Sequence, residues 1–447
     1  MIYFADLHVH SKYSRATSKD CDLNGLSRWA ALKGINVVAT GDFTHPAWRK
    51  ELYENLEPRE EGLFGLRSGL PIQPLIDCQD FSPSDVRFIL NVEISSIYKK
   101  NGKVRKSHNL IFMPDMETMD SFCNSLAKKG NLNSDGRPIL GLDSKDVLNM
   151  ALETSEKSFV IPAHIWTPWF SVLGSKSGFE SIHECFEDLT DYVIGLETGL
   201  SSDPEMNFRV SELDSFTLVS NSDTHSPSRL GREVNIFIGE PSYQSIREGL
   251  RRGGAGCRTG ANFLGPRQSV MEDRRLRNGA PGFLGTIEFF PEEGKYHMDG
   301  HRKCGVRLVP DQTESLGGKC PVCGHPVTVG VMNRVNQLAD RPVGYIPKKA
   351  GYYWRMLPLI EIIADCLGCG VQTKKAGELY QKLIRDLGPE LEILWSLSLD
   401  LIGTHAPSIV VEALRRVRAE QVNIDAGYDG EYGRIKIFED GERKNFT

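Results

Sequence analysis

Histidine, aspartate and glutamate recur in this chain at one place in a repeating pattern, at the ends of successive short apolar runs. Runs of strand length occupy residues 2–5, 36–39, 88–92, 109–113, 159–163, 193–196 and 217–220, and amphipathic stretches such as 23–32, 116–128 and 144–154 lie between several of them. Short buried strands alternating with helices imply βαβ units and a parallel sheet, and seven such units over residues 1 to about 250 predict a barrel. His8 and His10 follow the first run, Asp42 the second and Glu93 the third. His108 opens the fourth, His164 closes the fifth, and Asp223 and His225 follow the seventh. In (β/α) barrels the C-terminal edge of the strands carries the chemistry, so the pattern predicts one convergent site.

The residue types specify its character. Side chains alternate along a strand, so the H-x-H pair His8/His10 and the D-x-H pair Asp223/His225 each present two ligands to one side. Glu93 has two oxygens with which to bridge cations. A mixed imidazole and carboxylate set suits Zn, Mn or Fe better than Mg alone. Two or three divalent cations about 3.5–4 Å apart acidify a shared water and neutralise a phosphate, so the predicted roles of Glu93 and Asp223 are catalytic through metal.

These residues resemble the polymerase and histidinol phosphatase (PHP) family: D-L-H-V-H (6–10), V-E-I-S (92–95), P-A-H-I (162–165) and S-D-T-H (222–225) match its motifs. The resemblance implies a distorted (β/α)7 barrel over residues 1–252 and makes His8, His10, Glu93, His108, His164, Asp223 and His225 ligands. Asp42, in T-G-D-F-T-H, stands where the family often has a histidine ligand, and His45 is an additional candidate. Arg15 stands near the place of another family histidine and has the chemistry to grip a phosphate.

Beyond the barrel, residues 253–282 are rich in Gly and Arg without apolar periodicity, which predicts a linker or insert whose run Arg274, Arg275, Arg277 reads as a solvated loop. Residues 283–350 centre on H-R-K-C (301–304) and C-P-V-C-G (320–324). The x₂ spacing lets the chain wrap a tetrahedral ion, predicting a structural zinc on His301, Cys304, Cys320 and Cys323, with His297 and His325 as alternatives for the nitrogen ligand. Cys366 and Cys369 repeat the C-x-x-C spelling but sit in a helix–turn–helix pattern.

Residues 351–447 read as helical, with helices at 357–367, 374–387, 391–402 and 408–418. L-G-C-G-V-Q-T-K-K-A (367–376) resembles a helix-hairpin-helix, in which Gly368 and Gly370 let backbone N–H groups approach a phosphate and Lys374 and Lys375 add charge. Residues 402–418 form a second, degenerate copy. Lys99, Lys100, Lys103, Arg105 and Lys106 form a basic cluster just before His108, read as a phosphate track. Trp166 and Trp169, beside His164, are candidates for the wall of a base pocket.

The net charge of -6 gives no global basic signature for nucleic acid, but local clusters set the field. The ten cysteines, the polar N-terminus and the lack of a membrane-length apolar run fit a reducing cytoplasm. The segments 289–304, 320–324, 335–341 and 427–438 look like those that follow the PHP domain in the endonuclease Q group. That resemblance implies hydrolysis of the DNA phosphodiester 5′ to deaminated bases (uracil, hypoxanthine, xanthine) or abasic sites, with lesion-bearing DNA as partner, a sliding clamp as a further candidate, and no membrane. A PHP phosphatase acting on a small phosphate monoester and a non-catalytic DNA-binding module are the competing readings.

Overall fold

The computed structural model describes residues 1–69, 72–76, 81–254, 282–348 and 350–446. Seven strands close a ring: β1 (Ile2–Asp6), β2 (Val37–Ala39), β3 (Asn91–Lys100, led in by Arg87–Ile89), β4 (Lys103–Phe112), β5 (Phe159–Pro162), β6 (Gly195–Glu197) and β7 (Thr217–Val219). β1 pairs parallel with β2, β2 with the lead-in to β3, and β6 with β7. Parallel bridges Val160–Val193 and Val9–Thr224 complete the circuit.

One strand departs from the predicted parallel order. β4 runs antiparallel to both β3 and β5, because Asn101 and Gly102, at φ 52° and 74°, fold 91–112 into a hairpin. Positive φ at both central residues is what a type I′ two-residue hairpin turn requires. The Asn-Gly pair therefore overrides the helical crossover a parallel neighbour would need. The hairpin also removes two members, Lys100 and Arg105, from the predicted phosphate track. Lys100 pairs with Asp143 and Glu187 at 3.0 and 2.8 Å, and the buried Arg105 with Glu184 at 2.9 Å, so both are consumed in holding the hairpin to its neighbours.

The seam of the ring between β1 and β7 is reinforced from outside. β8 (Val234–Ile238) lies antiparallel along β1, and Asn235 donates its side-chain amide to Ala5 O and Ser220 O, tying β1 to β7 across it. β9 (Gly282–Glu288) pairs with β8, and β10 (Tyr352–Arg355) with β9. The first residues of the predicted 283–350 module and a strand just past its end thus extend the barrel's sheet. The insert, with Arg274, Arg275 and Arg277, lies almost wholly outside the described residues.

Helices pack outside the ring where capping residues start them: Asp22 caps Leu23–Lys33, Asp115 caps Met116–Ala127 and Asp143 caps Ser144–Thr154, each side chain accepting a first-turn N–H. Their apolar faces (Leu26, Ala30, Phe122, Leu126, Val147 and Leu148) are fully or almost fully buried against the strands. At the C-terminal end, helices Leu359–Leu367, Lys374–Leu387 and Ser408–Arg418 form as predicted. The stretch 391–402 instead divides into a π-turn at Glu392–Ser396 and a short helix Leu399–Gly403, which Ser398 caps. No described helix is long and apolar enough to cross a membrane.

Candidate metal centre

Glu93, buried on β3, is the hub. Its Oε1 lies 2.6 Å from His108 Nδ1 and 3.2 Å from His164 Nε2. Its Oε2 lies 3.3 Å from His10 Nε2, 3.7 Å from His8 Nε2 and 3.0 Å from Arg137 Nη1. Asp223 Oδ1 faces the same two imidazoles, 3.2 Å from His10 Nε2 and 3.5 Å from His8 Nε2. Two ligand groups result, His8/His10/Asp223 and Glu93/His108/His164, the candidate ligand atoms of each lying within 4.8 Å of one another. A hydrogen bond from His10 N–H to Thr224 O pins the segment after β1 to the segment after β7 at 3.1 Å.

His8 Nε2 is buried with no hydrogen-bond partner, although carboxylate oxygens face it. A buried, unpartnered imidazole nitrogen is costly in a site without a cation. It is what a ligand nitrogen should look like, so the donor set fits divalent cations. The charge balance agrees. Burial opposes ionisation of His8, but Glu197, Asp223 and Glu93 outweigh it and hold the imidazole well above its ordinary range. Burial likewise opposes charge on Glu93 and Asp223, yet the surrounding histidines, with Arg137 beside Glu93, hold both carboxylates far below theirs. Anionic groups this buried require positive charge close by.

Two residues that the spacing pattern did not single out complete the arrangement. Glu197, at the end of β6, accepts from His8 Nδ1 at 3.0 Å and from the His164 backbone N–H at 2.7 Å. The rule that picked out Glu93 points to it as well, since it directly follows the run 193–196. Arg137 comes from the loop after Met116–Ala127, and no periodic signal marks it.

Asp42 sits behind the cluster. Its Oδ1 accepts from His10 Nδ1 at 3.2 Å and its Oδ2 from Ser11 N–H and Oγ–H at 2.7 Å each, so it orients His10 rather than joining either ligand group. The His225 ring lies 4.5 Å from that of His10, tilted by 46°, and turns its Nδ1 to Asp223 O at 3.1 Å. His45 opens helix Pro46–Asn55 and stacks on Tyr13 at 4.5 Å. Asp42, His164 and Asp223 all hold positive φ, at 50°, 30° and 45°, a conformation that costs non-glycine residues energy and clusters at functional sites. A Cβ on Gly136 would meet Asp42 Oδ2 at 2.4 Å, so the loop carrying Arg137 closes over the site only with glycine there.

The small module brings together His301, Cys304, Cys320 and Cys323, with candidate ligand atoms within 4.8 Å of one another. His301 Nδ1 lies 3.5 Å from Cys323 Sγ. His297 is buried elsewhere, its Nδ1 3.3 Å from Ser201 O, and the His325 ring lies 6.4 Å from that of His301.

Among solved structures, the lesion-specific endonuclease PfuEndoQ from Pyrococcus furiosus superposes with a TM-score of 0.80 at 30% identity, covering 98% of this chain and 96% of its own. The chain belongs to the endonuclease Q family. A second endonuclease Q structure, in complex with a 27-mer duplex bearing an abasic lesion at its active site, matches with the same score and identity over the full length of both chains. Membership of the endonuclease Q family makes this protein a hydrolase of phosphodiester bonds. An uncharacterized protein of Methanocaldococcus jannaschii, MJ0043, is 31% identical over 274 residues, 61% of this chain but only 31% of that protein. The family model for the MJ0043 C-terminal domain matches residues 358–421.

Those residues hold the predicted hairpins of this endonuclease Q family member. Gly368 ends its helix at φ 60° and Gly370 has open space where a Cβ would stand. Lys374 and Lys375 are exposed, Lys374 with only a 3.6 Å pair to Glu378. Arg15 is also exposed, 3.7 Å from Asp135, in the segment following His10. Trp166 is core, donating to Asn207 at 2.7 Å, whereas Trp169 is 40% exposed.

Proposed function

We propose that the protein nicks DNA on the 5′ side of deaminated bases (uracil, hypoxanthine, xanthine) or abasic sites, as a divalent-metal-dependent repair endonuclease. The observation that carries this reading is Glu93, whose two oxygens each face one ligand group, in a chain similar over its whole length to a lesion-specific endonuclease.

Cations would be held by His8, His10 and Asp223 on one side of Glu93 and by His108 and His164 on the other, with His225 at the rim. Bound there, they supply an acidified water and positive charge against the phosphate. The protein's own groups do the rest. Glu197 fixes the His8 ring so that Nε2 points inward, and Asp42 does the same for His10. Arg137 presents a fixed guanidinium beside Glu93, where charge develops on the phosphoryl oxygens. The His301/Cys304/Cys320/Cys323 set would hold a structural zinc, its four ligands leaving no position for chemistry. Gly368, Gly370, Lys374, Lys375 and Arg15 grip the DNA backbone without reading sequence.

The test is incubation with labelled duplexes carrying one uracil or hypoxanthine, with Mg or Mn. A single nick 5′ to the lesion is the expected product. Intact DNA alongside hydrolysis of a small phosphate monoester would replace this reading with the phosphatase, and binding without any turnover would replace it with the non-catalytic module.

A further inference from the structure

Asp223 faces the metal cluster with its backbone in the left-handed region, at φ 45°. A residue other than glycine keeps such a conformation only where its surroundings fix it. Four successive peptide groups around Asp223 are held. Ser222 N–H donates to Asp6 Oδ1 at 3.1 Å, and Ser222 O accepts from Arg232 Nε and Nη2 at 2.9 and 2.7 Å. Asp223 O faces His225 Nδ1 at 3.1 Å, and Thr224 O accepts the His10 N–H at 3.1 Å. The last two bonds come from candidate ligand residues. The first two come from side chains that belong to neither ligand group.

Asp6 and Arg232 close a ring of bonds around Ser222. Asp6, the last residue of β1, is fully buried, and its second oxygen accepts the Gly231 N–H at 3.0 Å. One carboxylate thus holds both the Ser222 peptide and the turn that delivers the guanidinium of Arg232. Ser222 is itself fully buried, so its carbonyl has no water to turn to and depends on that guanidinium. Two N–H groups of one rigid fork on a single carbonyl fix its direction, which an ammonium on a flexible stem does poorly. The Ser222 carbonyl shares a peptide plane with the Asp223 N–H. Its direction therefore sets the aim of Asp223 Oδ1, which lies 3.2 Å from His10 Nε2 and 3.5 Å from His8 Nε2.

We infer that Asp6 and Arg232 are positioning residues of the metal centre: they clamp the Ser222 peptide and so aim the Asp223 carboxylate at the cation shared with His8 and His10. The inference rests on the metal-dependent reading above and deepens it. It gives Asp6, the acidic residue of D-L-H-V-H, a task other than ligation. The clamp bears on one ligand group only, because its bonds run to Ser222 and Gly231 and not to Glu93, His108 or His164.

The test loads the full chain with Mn, equilibrates it against a graded series of a weak chelator and counts the Mn retained per chain by atomic absorption. Arg232→Met and Asp6→Asn should each release one cation at about 10–100-fold lower chelator than wild type, with the other cation retained as before. Arg232→Lys, which keeps the charge but loses the fork, should fall between. A merely structural role would loosen both cations together. Unchanged retention, or loss of both in step, therefore overturns the clamp. Where Arg232→Met and Asp6→Asn do not fold, Arg232→Lys decides alone, and retention equal to wild type overturns the clamp there too. The two readings fail separately: wild-type protein that retains Mn while every variant matches it loses only the clamp. Wild-type protein that retains no Mn loses the metal-dependent reading as well.

Discussion

The His8 imidazole donates its Nδ1–H to Glu197, 3.0 and 3.1 Å from the two carboxylate oxygens, with both side chains buried. That bond fixes which ring nitrogen is free, and the free one, Nε2, points at Glu93 and Asp223. A carboxylate behind a ligand histidine sets its tautomer and raises its basicity. Glu197→Gln should therefore lower affinity for the cluster metals by about 10–100-fold while leaving the fold intact. Metal titration followed by atomic absorption checks it, and unchanged stoichiometry at limiting metal would remove Glu197 from this role.

Arg137 Nη1 lies 3.0 Å from Glu93 Oε2, an oxygen that a bound cation would share. If the guanidinium only fills in for absent cations, Arg137→Ala should be silent at saturating metal. If it grips the phosphate, the loss of one charge-assisted contact should lower kcat/KM on a lesion duplex about 10–100-fold, with metal affinity unchanged or higher. We expect the second result, read from steady-state kinetics over a metal series.

Glu288 is buried where β9 meets β7, accepting from Ser220 Oγ at 2.5 Å, Thr198 Oγ1 at 3.3 Å and Thr286 Oγ1. Burial pushes its carboxyl up to about 7, and Glu233 nearby is raised too, by burial and then by Glu288. The folded state therefore binds more protons than the unfolded chain between about pH 4.5 and 7. Its contribution is complete below that window and is lost as pH rises through it, at up to about 1.4 kcal/mol per pH unit. Urea midpoints should fall across this range in wild type and fall less in Glu288→Gln.

Glu390 joins the helical end of the chain to the barrel. It lies 3.4 Å from Lys33 Nζ and accepts Tyr380 Oη–H at 2.6 Å and Leu359 N–H at 3.0 Å. Lys33 and Glu390 are each 3% exposed. Glu390→Ala leaves a buried ammonium unpaired and should cost about 3–5 kcal/mol, seen as a lowered Tm. The double variant Lys33→Met/Glu390→Ala should recover much of it.

What the sequence determined was the type and topological place of the candidate ligands. The i, i+2 spacing after β1 puts His8 with His10, and the x₂ spacing brings Cys320 to Cys323. Both are local effects of backbone geometry. The tertiary structure decided which ligand-type residues share a site and which stand behind it. Asp42 and Glu197 look alike in sequence to Glu93, but contacts 31 to 189 residues apart in the chain turn them toward Ser11 and the outer nitrogens of His10 and His8. Arg137 reaches Glu93 only because the loop bearing it folds back over the mouth of the ring. A residue's type says what it can bind, but only packing fixes the direction it faces.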